Sequence, residues 1–206
     1  MFTIDQAGIV FTAATGVVGD QRIRIDLGGL RILGDGLAWA PGDFFDQNGA
    51  PDPFCTRGAL RRVADRLAGA GLEAMMGHEI EFVLVGPDGS ALPSHLWAQY
   101  GLAGVLEFEG FVRDVTAAAT ASGVAIEQFH PEYGANQFEI SLAPQKPVAA
   151  ADSVTLMRII IGRVAQVRRA GEPVTGAVRG QRRFRCASTL LVDTRGDPGV
   201  LRRRRP

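Results

Sequence analysis

The chain has 206 residues, of which 46% are hydrophobic and 21% charged, a balance that fits one large or two small globular domains with a sizeable core. No run of 18 or more apolar residues occurs, and Met1-Phe-Thr-Ile-Asp5 lacks the basic and apolar blocks of a signal peptide, so no membrane span and a cytoplasmic location are expected. The net charge of zero hides a split: residues 1–162 carry ten Lys+Arg against nineteen acids (−9), and residues 163–206 carry twelve Arg against three acids (+9).

Residues 8–32 read as short β segments, among them Gly8-Ile-Val-Phe-Thr12 and Arg22-Ile-Arg-Ile-Asp-Leu27. Residues 35–55 are rich in Gly, Pro and Asp and read as loop, with turn signals at Pro41-Gly42, Asn48-Gly49 and Pro51-Asp52-Pro53. Leu60, Val63, Ala64 and Leu67 recur at helical spacing, which predicts an amphipathic helix over 56–70 with Thr56 as its cap. A strand follows at 72–85, then a turn at Pro87-Asp88-Gly89. A second helix is expected over 107–122, ending at Gly123, followed by a strand at Val124-Ala-Ile-Glu-Gln-Phe129. A turn at Tyr133-Gly134-Ala-Asn136 returns the chain as Gln137-Phe-Glu-Ile-Ser-Leu142, making a hairpin. The third helix spans 149–167, with Asp152 or Ser153 as its cap. Strand, helix, hairpin and helix with short returns imply an α+β fold on an antiparallel sheet. Cys55 and Cys186 are too few for a disulfide framework, have no metal spacing, and read as ordinary thiols.

The chemistry concentrates on two groups of acids. Glu79 and Glu81 flank Ile80 on the 72–85 strand, so both carboxylates point to one face, roughly 6.6 Å apart at the backbone. Ile80 and Phe82 point the other way. Glu132 ends one hairpin strand and Glu139 lies in the next, with Gln137 and Ser141 on the face of Glu139. Two unit charges 4 Å apart repel by about 4 kcal/mol at an effective dielectric near 20. Divalent cations relieve that repulsion, and oxygen-only ligand sets favour Mg²⁺ or Mn²⁺. Taken singly, a Glu-x-Glu strand is an ordinary solvated face and a lone His130 an ordinary structural histidine. The joint occurrence of both motifs, with a helix between them, points to a metal site.

Gly77-His-Glu-Ile-Glu-Phe82 resembles the Gly-x-Glu-x-Glu-Phe strand of the glutamine synthetase family. His130-Pro-Glu-Tyr-Gly-Ala-Asn-Gln-Phe-Glu139 resembles that family's His-His-Glu-Val-x-Pro-Gly-Gln-x-Glu hairpin. Trp39-Ala-Pro-Gly-Asp-Phe-Phe-Asp-Gln-Asn-Gly49, Arg61-Arg62 and Ala150-Ala-Asp-Ser153 are similar to flanking segments, so the resemblance covers roughly residues 20–165. It departs at Pro131, where a second His is frequent, and at Asn136, where Gly is common. Both departures favour a divergent relative acting on another amine.

The resemblance implies a partial β-grasp-like domain and linker over 1–50 and the first part of an antiparallel-sheet catalytic domain over 51–165. It implies that Glu81, Glu132 and Glu139 hold the metal nearer the amino-acid substrate. Glu79 would help hold the metal nearer ATP, and Glu132 would border the amine pocket as the catalytic residue. The implied reaction phosphorylates a glutamate γ-carboxylate with ATP, after which ammonia or an amine attacks the acyl phosphate. The implied cofactor is Mg²⁺ or Mn²⁺, and the implied assembly of the complete protein is a homo-oligomer.

The family's Gly-Ser-Gly-x-His-x-His segment does not follow, and residues 166–206 read as an Arg-rich, disordered tail that a shifted reading frame would produce. The chain is therefore expected to be incomplete and inactive alone. The alternative is a non-enzymatic fragment that binds divalent metal and associates with full-length relatives. A nucleic-acid arm is disfavoured, because apolar Leu190-Leu-Val192 interrupts the basic tail and no recognised motif is present. There is no Gly-x-x-x-x-Gly-Lys phosphate loop, and Gly69-Ala-Gly71 follows a helix rather than preceding one.

Overall fold

The structure is a computed structural model that describes residues 3–5, 8–10, 21–86, 89–95, 97–167, 177–178 and 186–194. The elements in chain order are β1 (Thr3–Asp5), β2 (Gly8–Val10), β3 (Arg22–Ile25), β4 (Arg31–Gly34), β5 (Leu37–Trp39), β6 (Gly42–Phe45), α1 (Thr56–Gly69) and β7 (Leu72–Val85). They continue with α2 (Leu102–Glu107), α3 (Glu109–Ala121), β8 (Ile126–Pro131), β9 (Gln137–Gln145), α4 (Pro147–Val167), β10 (Ala177–Val178) and β11 (Cys186–Thr194).

β7 is the spine. It pairs antiparallel with β9, which pairs antiparallel with β8, while β10 and β11 both pair with the other side of β7. Antiparallel strands leave one face free for solvent and the other for helices. From His78 to Leu84, even-numbered β7 residues are buried and odd-numbered ones are half-buried. Ile80, Phe82 and Leu84 of β7 and Phe138, Ile140 and Leu142 of β9 form one side of the core. Phe111, Val115 and Ala119 of α3 and Leu156, Met157, Ile160, Ile161 and Ala165 of α4 cover it. Phe82 stacks on Phe138 at 6.1 Å, and Trp97 meets Phe138 edge-on at 5.1 Å. The fold is the α+β architecture with an antiparallel sheet that the sequence implies.

Several local expectations are corrected. The stretch 35–55 contains two strands. β5 folds back on β4 through Asp35 (φ +52) and Gly36 (φ +73), and β6 pairs with β3. Both ladders rest on partners outside the segment, which its Gly, Pro and Asp content conceals. Helix α1 is capped by Cys55, not Thr56: the thiol sulfur accepts from the Gly58 N–H at 3.3 Å. The expected second helix over 107–122 is α3; the sequence reading missed the short α2 before it, separated from α3 at Phe108, whose ring is buried against Trp97 and Phe138. Neither Asp152 nor Ser153 caps α4, which starts at Pro147; Asp152 pairs with Arg57, and the Ser153 hydroxyl bonds Gln145.

The turn residues Pro87 and Asp88 lie outside the described residues, as does most of 168–206. Within that tail Cys186–Thr194 is a strand rather than disordered, paired residue for residue with Leu72–Ile80. Its Thr-Leu-Leu-Val run is rich in strand formers. No helix among the described residues is long and apolar enough to cross a membrane.

Arg57 ties the amino-terminal ladders to this sheet-and-helix body. Its guanidinium donates to Asp152 of α4 at 2.9 Å, to Asp43 of β6 at 3.0 Å and to Asp26 at 3.0 Å. The same contact to Arg57 lowers the Asp26 pKa below the usual carboxylate value.

The core face predicts a measurable cost. Phe138→Ala is expected to lower unfolding free energy by about 3–5 kcal/mol in urea titration, the usual range for a buried Phe. A loss under about 1 kcal/mol would mean that this face is not the core.

Candidate metal centre

The site grows out of strand register. Glu81 of β7 lies directly opposite Glu139 of β9, and Glu139 lies directly opposite His130 of β8. One row across three strands therefore carries Glu, Glu and His on the face away from the helices. Glu79 is opposite Ser141 in the next row. Directly opposed residues have Cβ atoms about 4.5–5.5 Å apart, so their polar ends can share a cation.

Glu132 closes the row from beyond the end of β8. The chain leaves β8 at Pro131 and turns through Tyr133, Gly134, Ala135 and Asn136 before entering β9. The turn is held by the Glu132 N–H donating to the Gln137 carbonyl at 2.7 Å and by the Gln137 N–H donating to the Gly134 carbonyl at 3.0 Å. Asn136 takes φ +59, a left-handed conformation that Asn tolerates. Its side chain donates to the Leu92 carbonyl at 2.9 Å. The Trp97 indole donates to the Glu132 carbonyl at 2.8 Å. These bonds bury Glu132 and aim its carboxylate back at the row.

Ligand atoms of His130, Glu132 and Glu139 lie within 4.8 Å of one another. The His130 ring nitrogens sit 3.8 Å from Glu132 and 3.5 Å from Glu139. Protonated, this imidazole balances the two acids; neutral, it offers a nitrogen donor. Glu81 and Glu79 stand beside this group. The Gln137 amide donates to Glu81 at 2.7 Å, and its oxygen accepts from the Gly134 N–H at 2.9 Å. A Cβ on Gly134 would come within 2.6 Å of that oxygen, so a side chain there would make the Gln137 amide shift from its present contacts.

The four acids named from the sequence thus lie in one neighbourhood, with Glu132 and Glu139 grouped with His130 and with Glu79 and Glu81 close enough to act on Glu139. Sequence reasoning passed over His130 as a ligand candidate. Its signal was the cross-strand position opposite Glu139, two residues before Glu132. It also passed over an aromatic pair. Tyr100, at φ +56, packs its ring 5.1 Å from the His130 ring and 5.9 Å from the Tyr133 ring.

Electrostatics record the crowding. Burial pushes the Glu139 carboxyl above its ordinary value, and the charge of Glu79 adds most among its neighbours; His130 opposes, while Glu132 and Glu81 reinforce. The Tyr100 hydroxyl is pushed up to about 12, first by its hydrogen bond to Tyr133, then by burial and the Glu132 charge. The carboxylates of this group suit a hard divalent cation such as Mn²⁺ or Mg²⁺, and the His130 imidazole is the one nitrogen donor among them.

A carboxyl raised above its unfolded value binds its proton more tightly in the folded state. The metal-free fold therefore loses stability as pH rises from 4.5 through the folded value of Glu139. Glu139→Gln is expected to remove that part of the pH dependence and to raise the urea midpoint at pH 7 without added cation. A lower midpoint for the variant at pH 7 would contradict the crowding.

The family model described as the glutamine synthetase catalytic domain matches residues 53–171. Gamma-glutamylpolyamine synthetase GlnA3 of Streptomyces coelicolor is 41% identical over 156 residues, covering 71% of this chain and 33% of its own length. Gamma-glutamylethanolamide synthetase GlnA4 of the same organism is 27% identical over 150 residues, 65% of this chain and 32% of its own. A solved structure described as a novel glutamine synthase homolog superposes with a TM-score of 0.74 at 25% identity, covering 91% of this chain and 45% of that one. The chain spans about one third of the length of these two curated relatives. A family match over more than half of the residues, spanning the strands that carry the acids, makes this chain a member of the glutamine synthetase family.

Proposed function

We propose that this chain supplies the acidic wall of the metal site in an ATP-dependent ligase that joins glutamate to an amine through a γ-glutamyl phosphate. The observation that carries the reading is the single row of Glu81, Glu139 and His130 across three strands, closed by Glu132. A carboxylate is a poor electrophile, and transfer of a phosphoryl group to it creates a leaving group that an amine can displace. Divalent cations held here would screen the negative charge of phosphate and carboxylate during that transfer.

The roles then divide by position. Glu81, Glu132 and Glu139 would hold a Mg²⁺ or Mn²⁺ ion with His130 beside it, and Glu79 would help hold the metal nearer ATP. Glu132 would also border the amine pocket, where its carboxylate would attract the ammonium form and accept the proton that the nitrogen must lose before it attacks. The amines named for the two Streptomyces relatives, a polyamine and an ethanolamide product, support a substrate amine larger than ammonia. Self-association belongs to the same proposal. Ile23, Ile25, Ile32 and Leu37 stand 52–64% exposed on the amino-terminal ladders, an apolar surface suited to another subunit. A boundary near residue 50 between an amino-terminal domain and the catalytic one agrees with a family match that begins at residue 53.

Calorimetric titration of the 206-residue chain with Mn²⁺ tests the reading. Binding is expected for the wild type, and Glu132→Gln and Glu139→Gln should each weaken it by about tenfold or more, since even the loss of a residue that only orients a ligand costs about that much. ADP release that requires both glutamate and an amine would extend the result to the reaction. Metal binding without it would favour the non-enzymatic metal-binding alternative. Equal Mn²⁺ affinity in wild type and both variants would overturn the proposed site.

A further inference from the structure

Tyr133 follows Glu132 directly, at the place where the family hairpin quoted above carries Val. Its ring is not part of the core. It is 73% exposed and meets the ring of Tyr100, itself 61% exposed, edge-on at 5.9 Å and 83°. Tyr100 in turn lies against His130 at 5.1 Å. The three rings form an arc from the acidic row out to solvent.

The backbone holds this arc in place. The Tyr100 N–H donates to the Pro131 carbonyl at 2.9 Å, which fixes Tyr100 in a left-handed conformation that bulky residues seldom adopt. The Tyr133 N–H donates to the Glu132 carboxylate at 3.2 Å. Each ring is thus tied to the turn that presents Glu132. The two exposed rings beside the acids leave aromatic surface open next to negative charge.

The chemistry of that ligand follows from the lining. Carboxylates select a positive charge. The faces of two tyrosines accept methylene groups and attract a cation within about 6 Å of the ring. Ammonia has neither a chain nor a second charge and would leave both rings without a contact. An aliphatic diamine would have one nitrogen for Glu132, methylenes for the rings and a distal ammonium for a tyrosine face.

We propose that Tyr133 is a specificity-determining residue: with Tyr100 it forms an aromatic wall that receives the methylene chain and distal ammonium of an aliphatic di- or polyamine whose reacting nitrogen lies at Glu132. This deepens the proposed function and rests on it.

The test is calorimetry on the 206-residue chain in saturating Mn²⁺, with 1,4-diaminobutane, butylamine and ammonium chloride as probes. Three proteins are compared: wild type, Tyr133→Val and Tyr133→Phe. The wild type is expected to bind diaminobutane more tightly than ammonium. Tyr133→Val should weaken diaminobutane by about tenfold, consistent with a lost cation–aromatic contact. Tyr133→Phe keeps the ring and should restore binding to within about twofold. Equal diaminobutane affinity in wild type and Tyr133→Val overturns the inference, as does a wild type that prefers ammonium. The parallel Mn²⁺ titration separates the two levels. Absent metal binding in the wild type defeats the proposed function itself, whereas intact metal binding with no diamine preference defeats this inference alone.

Discussion

The antiparallel register of β7 on β9 decides what lies on each side of this sheet. With Ile80 opposite Ile140 and Phe82 opposite Phe138, the apolar side chains meet α3 and α4. The same register places Glu81 opposite Glu139 on the other side. A slip of one residue would move the acids into the core and the phenylalanines to solvent. The hydrophobic burial that stabilises the fold is therefore what holds like-charged groups together. The register shift between Met76 and His78 falls outside the row and leaves Glu79 to Val83 in regular pairing.

That arrangement has an electrostatic cost. Glu139 is held above the ordinary carboxylate range by burial and by Glu79, Glu132 and Glu81, with His130 opposing. A cation in the row would convert that repulsion into attraction, so a metal bound to the folded chain stabilises the fold that assembles the site. Gln137, Trp97 and Asn136 do not contact the cluster centre together, yet they orient its members: one holds Glu81, one the Glu132 backbone, and one the loop bearing Leu92.

Much of this was legible in the sequence where the periodicity was long and local. Alternation at Glu79-Ile80-Glu81-Phe82 and at Gln137-Phe138-Glu139-Ile140 marked β7, β9 and their acidic face. The spacing of Leu60, Val63, Ala64 and Leu67 marked α1. What stayed hidden depends on distant partners. β5 and β6 are short, lie in a Gly- and Pro-rich stretch, and exist because β4 and β3 pair with them. The break at Phe108 serves tertiary packing on Phe138. Cys55 replaces the expected hydroxyl cap because its sulfur reaches the Gly58 N–H. Tyr100 joins the site through a hydrogen bond to Pro131 that leaves no local pattern, and His130, although two residues before Glu132, joins it through its cross-strand position opposite Glu139.

The most direct measurement of the central claim is anomalous diffraction at the manganese absorption edge from crystals of this chain grown with Mn²⁺. The account predicts a peak within bonding distance of Glu132 and Glu139, on the face of the sheet opposite Phe82 and Phe138. No peak at that position, or a peak only among carboxylates elsewhere on the surface, would contradict it.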